Sequence, residues 1–287
     1  MSQPRISAYA SSADGNALPT RVIEGPDTHQ ARTSHYLAVD SVHDELVVPN
    51  PFADALLVFK GGSKGDVPPL RVIQGPKTML VAPDNVAVDP IHKELFNASF
   101  PTDSIMVFPS DANGDVAPIR IIHGPHTRLD RPIRVEADGE NSIIAVLCDH
   151  ELLIFDSKAN GDVGPKWVLA GDKVGVGASF GTRAVRLYAK GKKIIAGGGT
   201  PLPGAQAGGR GGARGVPGTG GDDEGGGFGR GMDRFLGVWA YGDNGNVNPL
   251  IKVHGPGGAA AINPDDGDVI SGGAGVIHFY HVPEIFQ

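Results

Sequence analysis

The sequence predicts an all-β fold, a β-propeller built from four-stranded antiparallel blades, and three observations carry that prediction. First, a Gly-Asp/Asn-x-x-Pro motif recurs at Gly15, Gly65, Gly114, Gly161 and Gly245, each time followed by an apolar run. Four of those runs end in Gly-Pro (Gly25-Pro26, Gly75-Pro76, Gly124-Pro125 and Gly255-Pro256), and the fourth copy has Gly171-Asp172 instead. The copies are spaced by 50, 49, 47 and 84 residues. A period near fifty means one supersecondary unit stacked on copies of itself. Second, no segment holds a helical period across ten or more residues. Third, each period divides into short apolar runs bounded by turn residues.

The unit around Asn85 is the clearest. Asn85-Val86-Ala87-Val88-Asp89 alternates and runs into a turn at Pro90-Ile91-His92-Lys93; Glu94-Leu95-Phe96-Asn97-Ala98 follows. After a polar break at Pro101-Thr102-Asp103 come Ser104-Ile105-Met106-Val107-Phe108, a Gly-Asp loop, and Ile119-Arg120-Ile121-Ile122. Four short strands joined by turns rich in Gly, Asn and Asp form a meander, the blade of a propeller. The other units fit. First strands begin near Leu37, Val86, Ile133, Val185 and Ala260. Third strands read Leu56–Phe59, Leu152–Phe155, Val238–Tyr241 and Ile277–Tyr280.

Five first strands predict five blades, with six as the alternative. Residues 6–23 match strands three and four of a blade and residues 259–286 match strands one to three, so the termini are expected to share one blade. Residues 1–287 then form a single domain. The long spacing places about 35 extra residues between the second and third strands of the fourth full unit. Residues 199–232 are rich in Gly, Ala and Pro, a composition unable to bury a core, and are expected to be a disordered insertion. Arg210-Gly211-Gly212 with Arg214 spells a faint arginine–glycine tract, offset by Asp222, Asp223 and Glu224.

Composition narrows the partners. A net charge of -7 argues against nucleic acid and anionic membrane. The expected partners are a small molecule or a protein, and the expected state is a monomer. The single cysteine, Cys148, excludes an intrachain disulfide. Residues 1–10 lack the apolar centre of a signal peptide, so the chain is cytoplasmic as written, or exported if a leader has been removed.

Familiar motifs have plain explanations here. Asp111-Ala112-Asn113-Gly114-Asp115 resembles the start of a calcium loop, but its glycine falls at position four and Ile122 stands where a bidentate Glu is needed. Because Gly-Asp/Asn recurs in every hairpin, a turn is the better reading. No G-x-S-x-G is present, Cys148-Asp149-His150 matches no nucleophile signature, and Gly175-Val176-Gly177 lacks a third glycine. Asn97-Ala98-Ser99 spells a glycosylation sequon. Among ten histidines none forms a compact zinc pair; His123 and His254 share one repeat position, whereas His35, His126 and His150 fall in connections on one face.

The phrases Pro83-Asp84-Asn85-Val86-Ala87-Val88-Asp89 and Leu56-Leu57-Val58-Phe59 resemble NHL-type repeats and, more loosely, the SMP-30/gluconolactonase propellers. The resemblance covers most of the chain outside 199–232 and lies in structural positions. It implies either a binding platform or an enzyme, a metal-dependent lactonase or peptidyl lyase, with a divalent metal in the central channel. The counterparts of Asn85 in the other units read as Tyr36, Ile133, Ala184 and Ala259, so an intact calcium quartet is not expected. Fourth-to-first and second-to-third connections share one rim, and loops on a rigid scaffold commonly carry function. The expected role is a binding or scaffold propeller with His35, Asp84, Asn85, Arg134 and Arg183 at the channel mouth; the alternative is a metal-dependent hydrolase or lyase at the same place. Arg134 and Arg186 interrupt first strands, and either face the channel or turn into the gap between blades, where Glu136 or Asp138 could pair with Arg134.

Overall fold

The structure, a computed structural model, describes residues 4–31, 36–177, 184–201, 232–254, 261–273 and 276–287. The fold class is the five-bladed β-propeller expected from the repeats. The N-terminal end gives a two-stranded sheet, β1 (Arg5–Ala8) and β2 (Arg21–Glu24). The first full blade is β3 (Ala38–Asp40), β4 (Glu45–Asn50), β5 (Ala55–Lys60) and β6 (Arg71–Gln74). The second is β7 (Val86–Asp89), β8 (Glu94–Ser99), β9 (Ser104–Pro109) and β10 (Arg120–Ile122). The third is β11 (Arg134–Asp138), β12 (Ile143–Leu147), β13 (Glu151–Asp156) and β14 (Trp167–Ala170). The fourth is β15 (Val185–Tyr188), β16 (Lys193–Pro201), β17 (Met232–Ala240) and β18 (Ile251–His254). The C-terminal end gives three strands, β19 (Ala261–Asn263), β20 (Asp268–Gly273) and β21 (Val276–His281). All pairings with a defined register are antiparallel, and the sequence had assigned two strands to one end and three to the other.

Two compact units divide the chain: Met1–Ile144 with Asp156–Gly164, and Ala145–Phe155 with Pro165–Gln287. In the first unit, middle strands are buried on both faces because a blade packs against a neighbour on each side. Leu56, Val58 and Ile73 of the first blade meet Leu95, Met106 and Phe108 of the second in one cluster. Ile23 of β2 meets Leu46, Val48, Leu57 and Phe59 in another. Each such side chain contributes ~1.5–3 kcal/mol by leaving water. In the second unit, Ile195, Val238, Val269 and Ile285 share a cluster. There Lys193 Nζ donates to the Ile285 and Gln287 carbonyls at 2.8 Å, fastening the last turn to the fourth blade.

The two recurring motifs prove to be halves of one seam. Asp115 Oδ1 accepts the N–H of Lys77, the residue after Gly75-Pro76, at 2.7 Å. Asp66 accepts from Asp27 N–H at 2.8 Å, Asp162 from His126 N–H at 2.7 Å, and Asn246 from Lys173 N–H at 2.9 Å. In these four copies the Gly-Asp/Asn turn therefore grips the connection leaving the preceding sheet. That close approach is why the other half needs glycine: Gly75 has φ of 131°, and a Cβ there would stand 2.5 Å from Asp115 Cγ. Proline then opens a single 3-10 turn, where its fixed φ and missing N–H fit the first position. Buried Thr28, Thr78 and Thr127 close that turn by donating to the glycine carbonyl. The Gly-Asp loops are turns, as their recurrence suggested, and they also accept the seam N–H groups.

Ion pairs reinforce two blades of the first unit. Arg120 forks onto Glu94 at 2.9 and 2.7 Å, and also donates to the Ser157 carbonyl. Lys158 adds a third bond to Glu94 at 2.8 Å. Burial pushes the Glu94 carboxyl up, but the hydrogen bonds from Arg120 and Lys158 outweigh it and hold the group below its ordinary value. Arg71 forks onto Glu45 in the same way, and that hydrogen-bonded carboxylate raises its pKa.

Two expectations change. The insertion of 199–232 begins later and ends earlier than its composition suggested. Gly199, Thr200 and Pro201 pair with Arg234, Asp233 and Met232, so β16 and β17 run to nine residues each. The interior of the insertion lies outside the described residues. The sequon is also unusable in the folded chain: Asn97 is fully buried, and its Nδ2 donates to the Asn85 carbonyl at 2.7 Å. Among the described residues, no helix is long and apolar enough to cross a membrane.

Candidate functional site at the leading ends of the first strands

Asp40, Asp89 and Asp138 end the first strands of three successive blades and cap the same turn. Each carboxylate accepts the N–H three residues on, from His43, His92 and Asn141. Counting back four residues from each aspartate gives Tyr36, Asn85 and Arg134. The true counterpart of Asn85 in the third blade is therefore Arg134, not Ile133. The apolar run points to Ile133, whereas the turn fixes the register. In the fourth blade the matching residue is Ala184.

These three positions lie together in the first unit. Strand β7 packs against β3 on one side and β11 on the other, so the first strands stand edge to edge. Asn85 is buried to 1% exposure, and its Oδ1 accepts the Val135 N–H at 2.7 Å, tying the start of β7 to the start of β11. The Arg134 guanidinium lies 4.0 Å from the centre of the Tyr36 ring. Tyr36 belongs to the first blade and Arg134 to the third, so the side chain crosses in front of β7. Such a stack is worth ~0.5–2 kcal/mol, more when desolvated, and Arg134 is 3% exposed. Glu136, two residues along the same strand face, brings its carboxylate to 3.9 Å of the guanidinium. Asp138 instead holds its turn, accepting from Asn141 Nδ2 at 2.8 Å.

Of the five expected site residues, Asn85 and Arg134 are brought together, and Asp84 adjoins them, half-buried. His35 and Arg183 lie outside the described residues. Tyr36 is legible in the sequence only as the repeat counterpart of Asn85, whereas Glu136 is one of the two carboxylates expected to pair with Arg134. The group does not fit a divalent cation. Asn85 Oδ1 is already engaged by a backbone N–H, and a guanidinium occupies the neighbouring position. Among the described residues, no three His, Cys, Asp or Glu side chains stand together as a ligand set. His123 and His254, the shared pre-Gly-Pro position, each bond locally, to the Asp103 carbonyl and to Asp233. His126 Nδ1 meets Asp162 Oδ2 at 2.6 Å, and that hydrogen bond lowers the Asp162 pKa. Arg186 donates to the Val185 carbonyl at 3.2 Å.

A separate cleft of about 480 Å3 opens beside the β3–β4 turn, lined by Ile6, Ile23, Leu37, Val39 and Leu46 with Arg21, Asp44 and Glu45. It shares no residue with the group at the leading ends.

No family model and no curated protein sequence matches the chain. Solved structures do. The hydrazine synthase of Kuenenia stuttgartiensis is similar over 84% of this chain at 11% identity and a TM-score of 0.53, and this chain spans only 56% of that one. A Bacteroides uniformis protein provisionally named a 6-phosphogluconolactonase is similar over 92% of this chain and 69% of its own, at 14% identity and a TM-score of 0.54. At these identities the likeness concerns the fold, a β-propeller, and leaves the chemistry to the residues themselves.

Proposed function

We propose that this chain is a non-catalytic binding propeller that takes a small molecule or a protein at the leading ends of its first strands, around Tyr36, Asn85 and Arg134. One observation carries the reading: a buried guanidinium crosses from the third blade to an aromatic ring of the first. Burying a charge is costly, and nothing in the repeat demands one at that position, since the same slot holds Tyr36, Asn85 and Ala184 elsewhere. The net charge of -7 supports a partner other than nucleic acid or an anionic membrane. Thermal-shift measurements with sugar acids, sugar phosphates and dicarboxylates test the proposal. A probe that raises the Tm of the native protein should fail to raise that of Arg134→Met. A shift of equal size in the variant would remove this site from consideration.

The second reading is a metal-dependent hydrolase or lyase, and the fold shared with the provisionally named 6-phosphogluconolactonase favours it. Untagged protein would then carry a stoichiometric divalent metal and open glucono-δ-lactone faster than buffer does, with the rate lost on chelation. Metal-free protein that is inert towards lactones with added calcium or zinc favours the binding reading.

A further inference from the structure

Three hairpin turns contain Asn-Gly: Asn113-Gly114, Asn160-Gly161 and Asn244-Gly245. Each pair grips one residue of the preceding blade's outer strand by both of its backbone groups. Val72 donates its N–H to Asn113 Oδ1 at 3.1 Å and accepts the Gly114 N–H at 2.6 Å. Ile121 does the same with Asn160 and Gly161, at 3.1 and 2.7 Å. Val168 repeats the arrangement with Asn244 and Gly245, at 2.8 and 2.6 Å. All six turn residues are exposed.

Asn-Gly is also a reactive dipeptide, because glycine has no side chain to hinder attack by its own nitrogen. That nitrogen gives up its proton to solvent base and bonds to the asparagine Cγ. The Cγ–Nδ2 bond breaks, ammonia leaves, and a five-membered succinimide remains. Water then opens either carbonyl, giving aspartate or isoaspartate, so the net change is one water consumed and one ammonia released. In the folded chain both reacting groups are held by a third residue. The proton to be lost is donated to a strand carbonyl, and the carboxamide oxygen is fixed on the N–H of the same residue.

We propose that Asn113, Asn160 and Asn244 are latent deamidation sites gated by the seams between blades. Reaction proceeds from molecules in which a seam has opened, and its main product keeps that seam open. Aspartate retains the oxygen that the strand N–H needs. Isoaspartate instead routes the main chain through the former side-chain carbon and moves the glycine N–H off its carbonyl.

Site-resolved peptide mapping of the full chain, aged in mildly alkaline buffer with and without urea, provides the test. Each of the three sites should deamidate about tenfold or more slowly in the folded protein. Equal rates in the two conditions would overturn the proposal. Asp115→Ala, which loosens only the seam gripped by Asn113, should accelerate that site and leave Asn244 unchanged. Equal acceleration at all three sites would show that whole-chain unfolding, not the individual seam, controls the chemistry. The comparison of native protein with and without urea stands even if that variant folds poorly.

Discussion

The seams and the leading ends of the first strands belong to the same repeat, yet they behave in opposite ways. At the four described seams each copy presents nearly the same chemistry: glycine against an Asp or Asn side chain, with one backbone N–H received. At the leading ends, equivalent positions hold a phenol, an amide, a guanidinium and a methyl group. A position that packing dictates is filled alike in each copy, because each copy faces the same neighbour. A position where different blades converge is released from that constraint and can be filled for another purpose. Uniformity across the repeat marks structure, and divergence at a shared place marks the candidate site.

Substitutions on the two sides should separate cleanly, and the largest effect belongs to the seam. Gly124→Ala places a Cβ into Asp162 at a φ of 131° and should cost about 3 kcal/mol or more. Urea unfolding would read it as a lowered midpoint. A variant as stable as the parent would show that the seam yields easily.

Next come the ion pairs. Arg120→Met leaves Glu94 partly buried and short of its fork, for an expected loss of about 3 kcal/mol. The double variant Arg120→Met/Glu94→Leu should regain much of it. The same pair sets an acid limit. Because the folded pKa of Glu94 lies below its unfolded value, its contribution is full above the ordinary glutamate range. It fades as pH falls through the lowered folded value. Glu94→Gln should therefore flatten the acid limb of a stability–pH curve; an unchanged limb would assign that limb to other carboxylates.

Asp115→Ala removes one accepted backbone N–H at the surface and should cost about 1 kcal/mol. Equally small in stability is Tyr36→Ala, about 1 kcal/mol through the lost stack, yet it should abolish the probe-dependent Tm rise that Arg134→Met also abolishes. A large stability loss with binding retained would make Tyr36 a packing residue and erase the contrast between the two regions.

The strands were legible in the sequence because apolar runs and turn residues act locally. The seam was half legible. Gly-Asp and Gly-Pro stood out, but their partnership joins residues far apart, Asp27 with Asp66 or Lys77 with Asp115, and periodicity does not show contacts. The start of β11 slipped by one residue for a related reason. Ile133 looked like the beginning of the apolar run, whereas the register is set by the Asp138 turn at the other end of the strand. The stack of Arg134 on Tyr36 had no local signature at all. The ends of the insertion carry no local strand signal because Gly199 and Pro201 are poor strand formers, recruited here by pairing with β17.

The grip at each seam has a direction. Among the described residues, the hairpin of a later blade holds the outer strand of an earlier one, as Gly65 holds Ile23, Gly114 holds Ile73 and Gly161 holds Ile122. A ribosome delivers the chain in that same order. While such a blade is the newest one finished, then, its outer strand exposes N–H and C=O groups that await a hairpin about forty residues further down the message, or about seventy-six in the case of Leu169 and Gly245. Such an edge can pair with a neighbouring nascent chain. Pauses in translation just after an outer strand would lengthen that exposure, and pauses after a Gly-Asp turn would shorten it.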